Sequence, residues 1–240
     1  MAAVLFSSFA HLRSFGFRLL SIPFLLVSIA SHPSDNLPIL SAKNTDGTFP
    51  IWSKLIFSPY WYFVRNFSAL QRLFTREAPY SEICDGLYVG GWPSSPDKLP
   101  PGNPAIIDCT CELPRRSEFM RNAYLCVPTW DTRSPRPEDI ELAVKWACQN
   151  REQQRPVFVH CAYGMSSIAR ASALSFIYVG RGRSVTVMCA LLVALGVVED
   201  WKDAEKLIKE KRSCIHMNAR QRKALEEWSK DRLSPPKKIE

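Results

Sequence analysis

The sequence predicts an α/β domain with a central, mostly parallel sheet flanked by helices. Between about residues 80 and 230, short apolar runs of strand length alternate with longer runs of helical period. One apolar run, Pro156–His160, leads straight into a cysteine and a glycine-containing turn. A second, Ser184–Leu195, reads as a buried helix closed by Gly196. At 240 residues the chain can hold one sizeable core plus an appendage.

The elements follow in order. Glu82–Gly90 (EICDGLYVG) reads as a strand ending at Gly90-Gly91. Ala105–Cys109 (AIIDC) and Ala123–Val127 (AYLCV) are the next two strands. Pro137–Gln153 is a helix, with Pro137 at its start and Glu138 and Asp139 in the first turn. Its expected apolar face is Ile140, Leu142, Ala143, Trp146 and Ala147. Pro156–His160 (PVFVH) is the fourth strand. After the buried helix come an amphipathic helix, Trp201–Arg212, and a last helix over roughly Asn218–Lys230.

The first third of the chain reads differently. Residues 1–34 contain no Asp or Glu, carry His11, Arg13 and Arg18, and include the apolar run Leu19–Ala30. A secretory signal, an organellar transit peptide and a membrane anchor all fit this pattern. Membrane attachment is the expectation, with the catalytic part facing the cytosol; organelle targeting is the alternative. Residues 35–48 look like a linker. Residues 49–78 are crowded with Trp, Tyr and Phe, with Lys54, Arg65, Arg72 and Arg76 interleaved. Such a segment suits the headgroup region of a bilayer, or a helix packed on the domain. The domain itself is expected over residues 79–232, with a basic tail at 233–240.

Net charge is +8, which favours anionic partners such as phosphorylated substrates or an acidic membrane face. No finger, RNA-binding sheet signature or basic-region pattern supports nucleic acid. The eight cysteines lack the spacing of a small disulfide scaffold, so a reducing compartment is expected for the catalytic part. Cys109 and Cys111 form a C-x-C, but no second pair or neighbouring His supports a metal site, and no cofactor is implied.

The chemistry lies in two separated halves. VFVHCAYG (157–164) takes a strand into His160-Cys161 and then Ala162, Tyr163 and Gly164. Gly180-Arg181-Gly182-Arg183-Ser184 opens the buried helix. Joined, they make a loop of inward N–H groups ahead of a helix N-terminus, an anion cradle. Its glycines allow close approach of backbone to phosphate. Arg183 would grip phosphoryl oxygens, and the positive field would favour the Cys161 thiolate as nucleophile.

These residues resemble the protein tyrosine and dual-specificity phosphatase superfamily, whose loop is His-Cys, five residues, Arg, then Ser or Thr. The resemblance covers about residues 80–230 and implies the cysteine-phosphatase fold. It also implies hydrolysis of phosphomonoesters through a cysteinyl-phosphate, on phosphoprotein or on phospholipid and phosphoinositide. It assigns the nucleophile to Cys161 and the phosphate grip to Arg183. Ser184 becomes the hydroxyl assisting thiolate departure, and His160 a structural hydrogen-bonding residue. The general acid falls to Asp131, thirty residues before Cys161 in PTWDTRSPRP. Arg181 would be an extra basic residue in the loop, as family members acting on lipid phosphates often carry.

The spacing departs from the pattern. Five residues beyond Cys161 puts Ser167 where the Arg belongs. Without a gap, CAYGMSS is a degenerate loop. With one, HCAYG joins RGRS as a full match, leaving sixteen inserted residues, Met165–Gly180. The gapped pairing is preferred because GRS before an apolar helix keeps the rest in register. The insert's edges can be encoded as GT and AG, as an unspliced intron would be; genomic sequence lacking them would exclude that origin. A cradle cut open there should lose its geometry, and about 1 Å of misplacement can cost a hundredfold in rate. The expectation is therefore a phosphatase by lineage with impaired turnover. The alternatives are a pseudophosphatase that binds phosphorylated ligands, and a membrane-associated scaffold.

Overall fold

The computed structural model describes residues 21–27, 29, 42–75, 78–131, 133–162 and 182–233. They contain five strands: β1 (Tyr80–Cys84), β2 (Leu87–Gly91), β3 (Ala105–Asp108), β4 (Tyr124–Cys126) and β5 (Val157–Cys161). The labelled helices are α1 (Ile51–Thr75), α2 (Pro137–Glu152), α3 (Gly182–Ala194), α4 (Trp201–Lys211) and α5 (Ala219–Leu233). A further helical stretch covers 21–27.

The sheet order is β1-β2-β5-β3-β4, antiparallel between β1 and β2 and parallel elsewhere. β5 lies in the middle and is buried throughout, as are β2 and β3. That explains why these strands read as continuous apolar runs. α2, α3 and α5 pack together, and Ile140, Ala143, Leu191, Leu225 and Trp228 share the core with Val157 and Val159. In such a sheet, ligands sit beyond the carboxyl ends of the strands, where Cys161 lies.

The single strand expected over Glu82–Gly90 is instead a hairpin. Asp85-Gly86 turns the chain, with Gly86 at φ +67° and its N–H donating to Glu82 Oε1 at 3.0 Å. Asp-Gly between apolar residues is a strong hairpin signal. On α2 the buried face is Ile140, Ala143, Val144 and Ala147, while Leu142, expected on it, is exposed. α3 starts at Gly182, two residues earlier than expected. A Cβ there would run into Gln221 Oε1 and the His216 carbonyl, so only glycine opens this helix.

Residues 42–48, within the stretch read as a linker, fold back onto the domain. Lys43 is buried and donates to Asp108 Oδ2 at 2.7 Å and to the Thr110 carbonyl at 2.8 Å. α1 also packs on the domain, where Phe49, Phe57 and Trp61 cluster with Cys111 and Trp130. Pro59 interrupts α1 and removes one backbone donor; the Ser58 hydroxyl donates to the Leu55 carbonyl at 3.3 Å. Residues 1–20, part of the anchor or targeting segment, lie outside the described residues, as do 30–41 and the tail 234–240. Among the described residues no helix is long and apolar enough to cross a membrane.

Candidate active site

β5 carries His160 and Cys161 to the carboxyl edge of the sheet, and Ala162 follows. The Cys161 side chain is buried, and its Sγ–H donates to the Ala162 carbonyl at 3.3 Å. The first turn of α3 brings Ser184 alongside, its Oγ donating to Cys161 Sγ at 3.2 Å. Twenty-three positions separate that pair, so α3 supplies the hydroxyl that the gapped pairing assigns.

Arg183, beside Ser184, is 0 % exposed. Its Nη1 donates to Glu112 Oε2 at 3.0 Å and to the Thr129 carbonyl at 2.7 Å. Its Nη2 donates to Glu112 Oε1 at 2.7 Å and lies 3.3 Å from Asp131 Oδ1. Burial opposes the charge, but Glu112 and then Asp131 outweigh it and raise the Arg183 pKa above its ordinary value. The guanidinium is therefore cationic at any working pH. Its Nε–H is buried without a hydrogen-bond partner among the described residues.

Asp131 follows β4 on a loop held at both ends. Before it, Trp130 is buried against Phe57, Trp61 and Cys111. After it, the Arg133 carbonyl accepts from Gln221 Nε2 at 3.0 Å. The Asp131 side chain keeps 27 % of its surface exposed, the most open of the charged groups at the site. It can face both Arg183 and an incoming ligand.

Glu112, missed in the sequence, fixes the arginine from the loop after β3. Its Oε2 also accepts the Cys111 N–H at 3.0 Å. A fully buried arginine demands a buried carboxylate, and Glu112 in the apolar run CTCEL was the available signal. Gln221 was missed as well. It caps Asn218 reciprocally, holds the Arg133 carbonyl and presses on Gly182.

A second polar cluster meets His160. Asp108 Oδ1 accepts the Thr110 N–H at 2.8 Å and hydroxyl at 2.7 Å, and Oδ2 accepts Lys43 at 2.7 Å and the Tyr124 hydroxyl at 2.6 Å. Burial works against the Asp108 carboxylate, but Lys43 and His160 overcome it and hold the pKa down at about 2. His160 Nδ1 lies 4.0 Å from Asp108 Oδ1. Burial lowers the His160 pKa to about 4 against the pull of Asp108, so the imidazole is neutral near pH 7.

The site thus gathers Cys161, Ala162, Gly182, Arg183, Ser184 and Asp131, with His160 in the strand behind. Tyr163, Gly164, Arg181 and the insertion Met165–Gly180 lie outside the described residues. Among the described residues, no group of three or more His, Cys, Asp or Glu side chains could hold a metal ion.

No family model and no curated protein matches this chain. Solved structures do. Tk-PTP in its active form aligns at TM-score 0.51 and 18 % identity, over 63 % of this chain and 97 % of that one. PTPMT1 in complex with PI(5)P aligns at 0.50 and 22 %, over 64 % and 96 %. Human DUSP28 aligns at 0.51 and 13 %, over 66 % and 97 %. At these identities the likeness is one of fold, and it spans nearly the whole of each neighbour. This chain thus shares the fold of these solved tyrosine and dual-specificity phosphatases.

Proposed function

We propose that this domain is built to hydrolyse phosphomonoesters through a cysteinyl-phosphate on Cys161. The observation that carries the reading is the meeting of four groups: Ser184 Oγ at 3.2 Å from Cys161 Sγ, and Asp131 Oδ1 at 3.3 Å from the buried Arg183 guanidinium. A thiol, a hydroxyl, a fixed cation and a carboxylate are the parts phosphoryl transfer to cysteine needs.

The Cys161 thiolate attacks phosphorus, a P–S bond forms, and the bond to the leaving oxygen breaks. Asp131, protonated, gives its proton to that oxygen. Water then attacks phosphorus, Asp131 takes a proton from it, and the thiolate departs. Ser184 hydrogen-bonds the sulfur as its charge returns. Arg183 supplies its Nε–H to the phosphoryl group while Glu112 keeps the guanidinium plane fixed. Arriving phosphate displaces Asp131 from Arg183 and frees that carboxyl to face the leaving group.

The substrate is a phosphoprotein or a phospholipid phosphate, with Arg181 the residue that would favour the lipid. PTPMT1, which shares this fold, has been solved in complex with PI(5)P, and that supports the lipid side of the reading. A second reading is favoured by the placement of Met165–Gly180 between Gly164 and Arg181. With the cradle cut open, the chain would bind phosphorylated ligands at a membrane without turning them over.

Hydrolysis of an aryl phosphate separates the two. The full chain is compared with a Met165–Gly180 deletion, each beside Cys161→Ser. Turnover confined to the deleted form, and lost with Cys161→Ser, supports both the mechanism and the lesion. Turnover by the full chain overturns the lesion. A folded deletion form without turnover overturns the catalytic reading.

A further inference from the structure

α1 has two apolar faces, and among the described residues one of them packs on the domain. At 3.6 residues per turn, Ser53, Phe57, Tyr60, Trp61 and Val64 share one side. That side packs on the domain: Phe57 and Trp61 against Cys111 and Trp130, and Val64 against Trp92, Leu113 and Ala162. Ile51, Trp52, Leu55, Ile56, Tyr62 and Phe63 fall in an opposite arc of about 140°. All six are exposed, Ile51 at 77 % and Leu55 at 74 %.

Single exposed apolar residues are ordinary, but a contiguous face of six large ones on one helix marks an interaction surface. The stretch 21–27 widens it. Phe24 sits edge-on to Tyr60 and Phe63, with centroids at 5.8 and 5.7 Å, and leaves Leu25 61 % exposed beside them.

The chemistry of the face selects one occupant. α1 contains no Asp or Glu. Lys54 and Arg65 fall together on one flank of the apolar arc, where long basic side chains reach phosphates while their stems lie on apolar surface. Trp52 and Tyr62 sit within the arc, the two residue types enriched at membrane–water boundaries. A protein partner or a second copy would need acidic groups to meet that flank; an anionic bilayer supplies them everywhere.

We propose that the outer face of α1, with the adjoining stretch 21–27, docks flat on an anionic lipid bilayer while its inner face forms a wall of the active-site rim. A helix is about 10 Å across, so docking sets the bilayer surface that far from Ala162, the residue after Cys161. Phosphate borne on lipid headgroups would then be presented at the rim. The surface exists whether or not Cys161 turns over.

The test uses the full chain with vesicles of phosphatidylcholine containing phosphatidylserine, and with phosphatidylcholine alone. Trp52 emission is isolated as the difference between the native chain and Trp52→Phe. It should be quenched by brominated lipid in the anionic vesicles and less in the neutral ones. The double substitution Leu55→Glu/Phe63→Glu, at exposed positions that leave the fold intact, should lower the vesicle-bound fraction about tenfold. The proposal is overturned if the chain sediments with vesicles while Trp52 is unquenched, since another segment then holds it. No sedimentation at all also overturns it. So does a doubled mass in solution that the double substitution returns to monomer, which would assign the face to a second copy. The readout is binding, so a chain that hydrolyses nothing answers equally well.

Discussion

Two clusters of buried charge meet the strand that carries Cys161, and they differ in how completely they are satisfied. In the first, every Lys43 and Asp108 contact is closed: the ammonium bonds Asp108 and both oxygens of Thr110, and both carboxylate oxygens accept twice. In the second, Arg183 is gripped by Glu112 and the Thr129 carbonyl, yet its Nε–H has no partner among the described residues and Asp131 stays partly open to solvent. The first fastens residues 42–48 and Tyr124 of β4 to Asp108, although His160 Nδ1 beside it is itself buried without a hydrogen-bond partner among the described residues. The second leaves one buried donor of Arg183 outside its pairing. Buried charge by itself does not mark function; what sets the second cluster apart is a part-exposed carboxylate held against a buried cation.

Crossed substitutions break this comparison or sharpen it. The largest effect is expected from Asp131→Asn in the Met165–Gly180 deletion. Turnover of a substrate with a poor leaving group should fall about 10²–10⁴-fold with the loss of a general acid. The thermal midpoint should hardly move, since Glu112 still pairs Arg183. Asp108→Asn should do the reverse. Breaking a buried pair leaves Lys43 uncompensated and costs about 3–5 kcal/mol, seen as a lower denaturant midpoint, with turnover per folded molecule little changed. If Asp131→Asn proved the destabilising one, the two clusters would have been assigned the wrong way round.

How legible each cluster was follows from the range of its contacts. Cys161, Arg183 and Ser184 were readable because strand, cysteine, glycines and helix are local patterns, and β5 and α3 must adjoin if both are buried. Asp131 was readable only through the family resemblance. Glu112 offered only its place in the apolar run CTCEL, and Gln221 no local signal: their roles exist only once segments 70 or more positions apart meet. Lys43 was hidden for the same reason, in a stretch whose Pro, Ser, Asn and Asp content reads as linker. α1 reads equally as membrane-facing or domain-packed because it carries two apolar arcs, one of which packs on the domain. The hairpin at Asp85-Gly86, by contrast, was in plain sight and was passed over for the longer apolar run.

The pH dependence of stability reads out the first cluster alone. His160 titrates at about 4 in the fold against 6.5 ordinarily. Between those values the unfolded chain binds a proton that the folded chain refuses, so stability rises with pH there and is lost as pH falls from about 6.5 to about 4. The loss approaches about 3 kcal/mol, at 1.36 kcal/mol per unit. Asp108 has the same sign in a lower window: its carboxylate, held at about 2, stabilises the fold above about 3.8, and that contribution is lost as pH falls towards 2. Denaturant unfolding at fixed pH checks both, and His160→Asn should flatten the upper window and narrow the lower one, since His160 helps Lys43 hold the Asp108 carboxylate down.

The smallest effect expected is that of Ser184→Ala, and it bears on the second cluster alone. Its hydroxyl reaches Cys161 Sγ at 3.2 Å but touches no phosphate in the proposed sequence of steps. One hydrogen bond to a charged group contributes about 1.5–3 kcal/mol, here only when sulfur regains its charge. Breakdown of the cysteinyl-phosphate should therefore slow by roughly 10–100-fold, while its formation changes far less. Rapid-mixing kinetics with an aryl phosphate would then show a burst of leaving group followed by slow turnover. Equal slowing of both phases would mean that Ser184 holds the thiol in place and takes no part in its release.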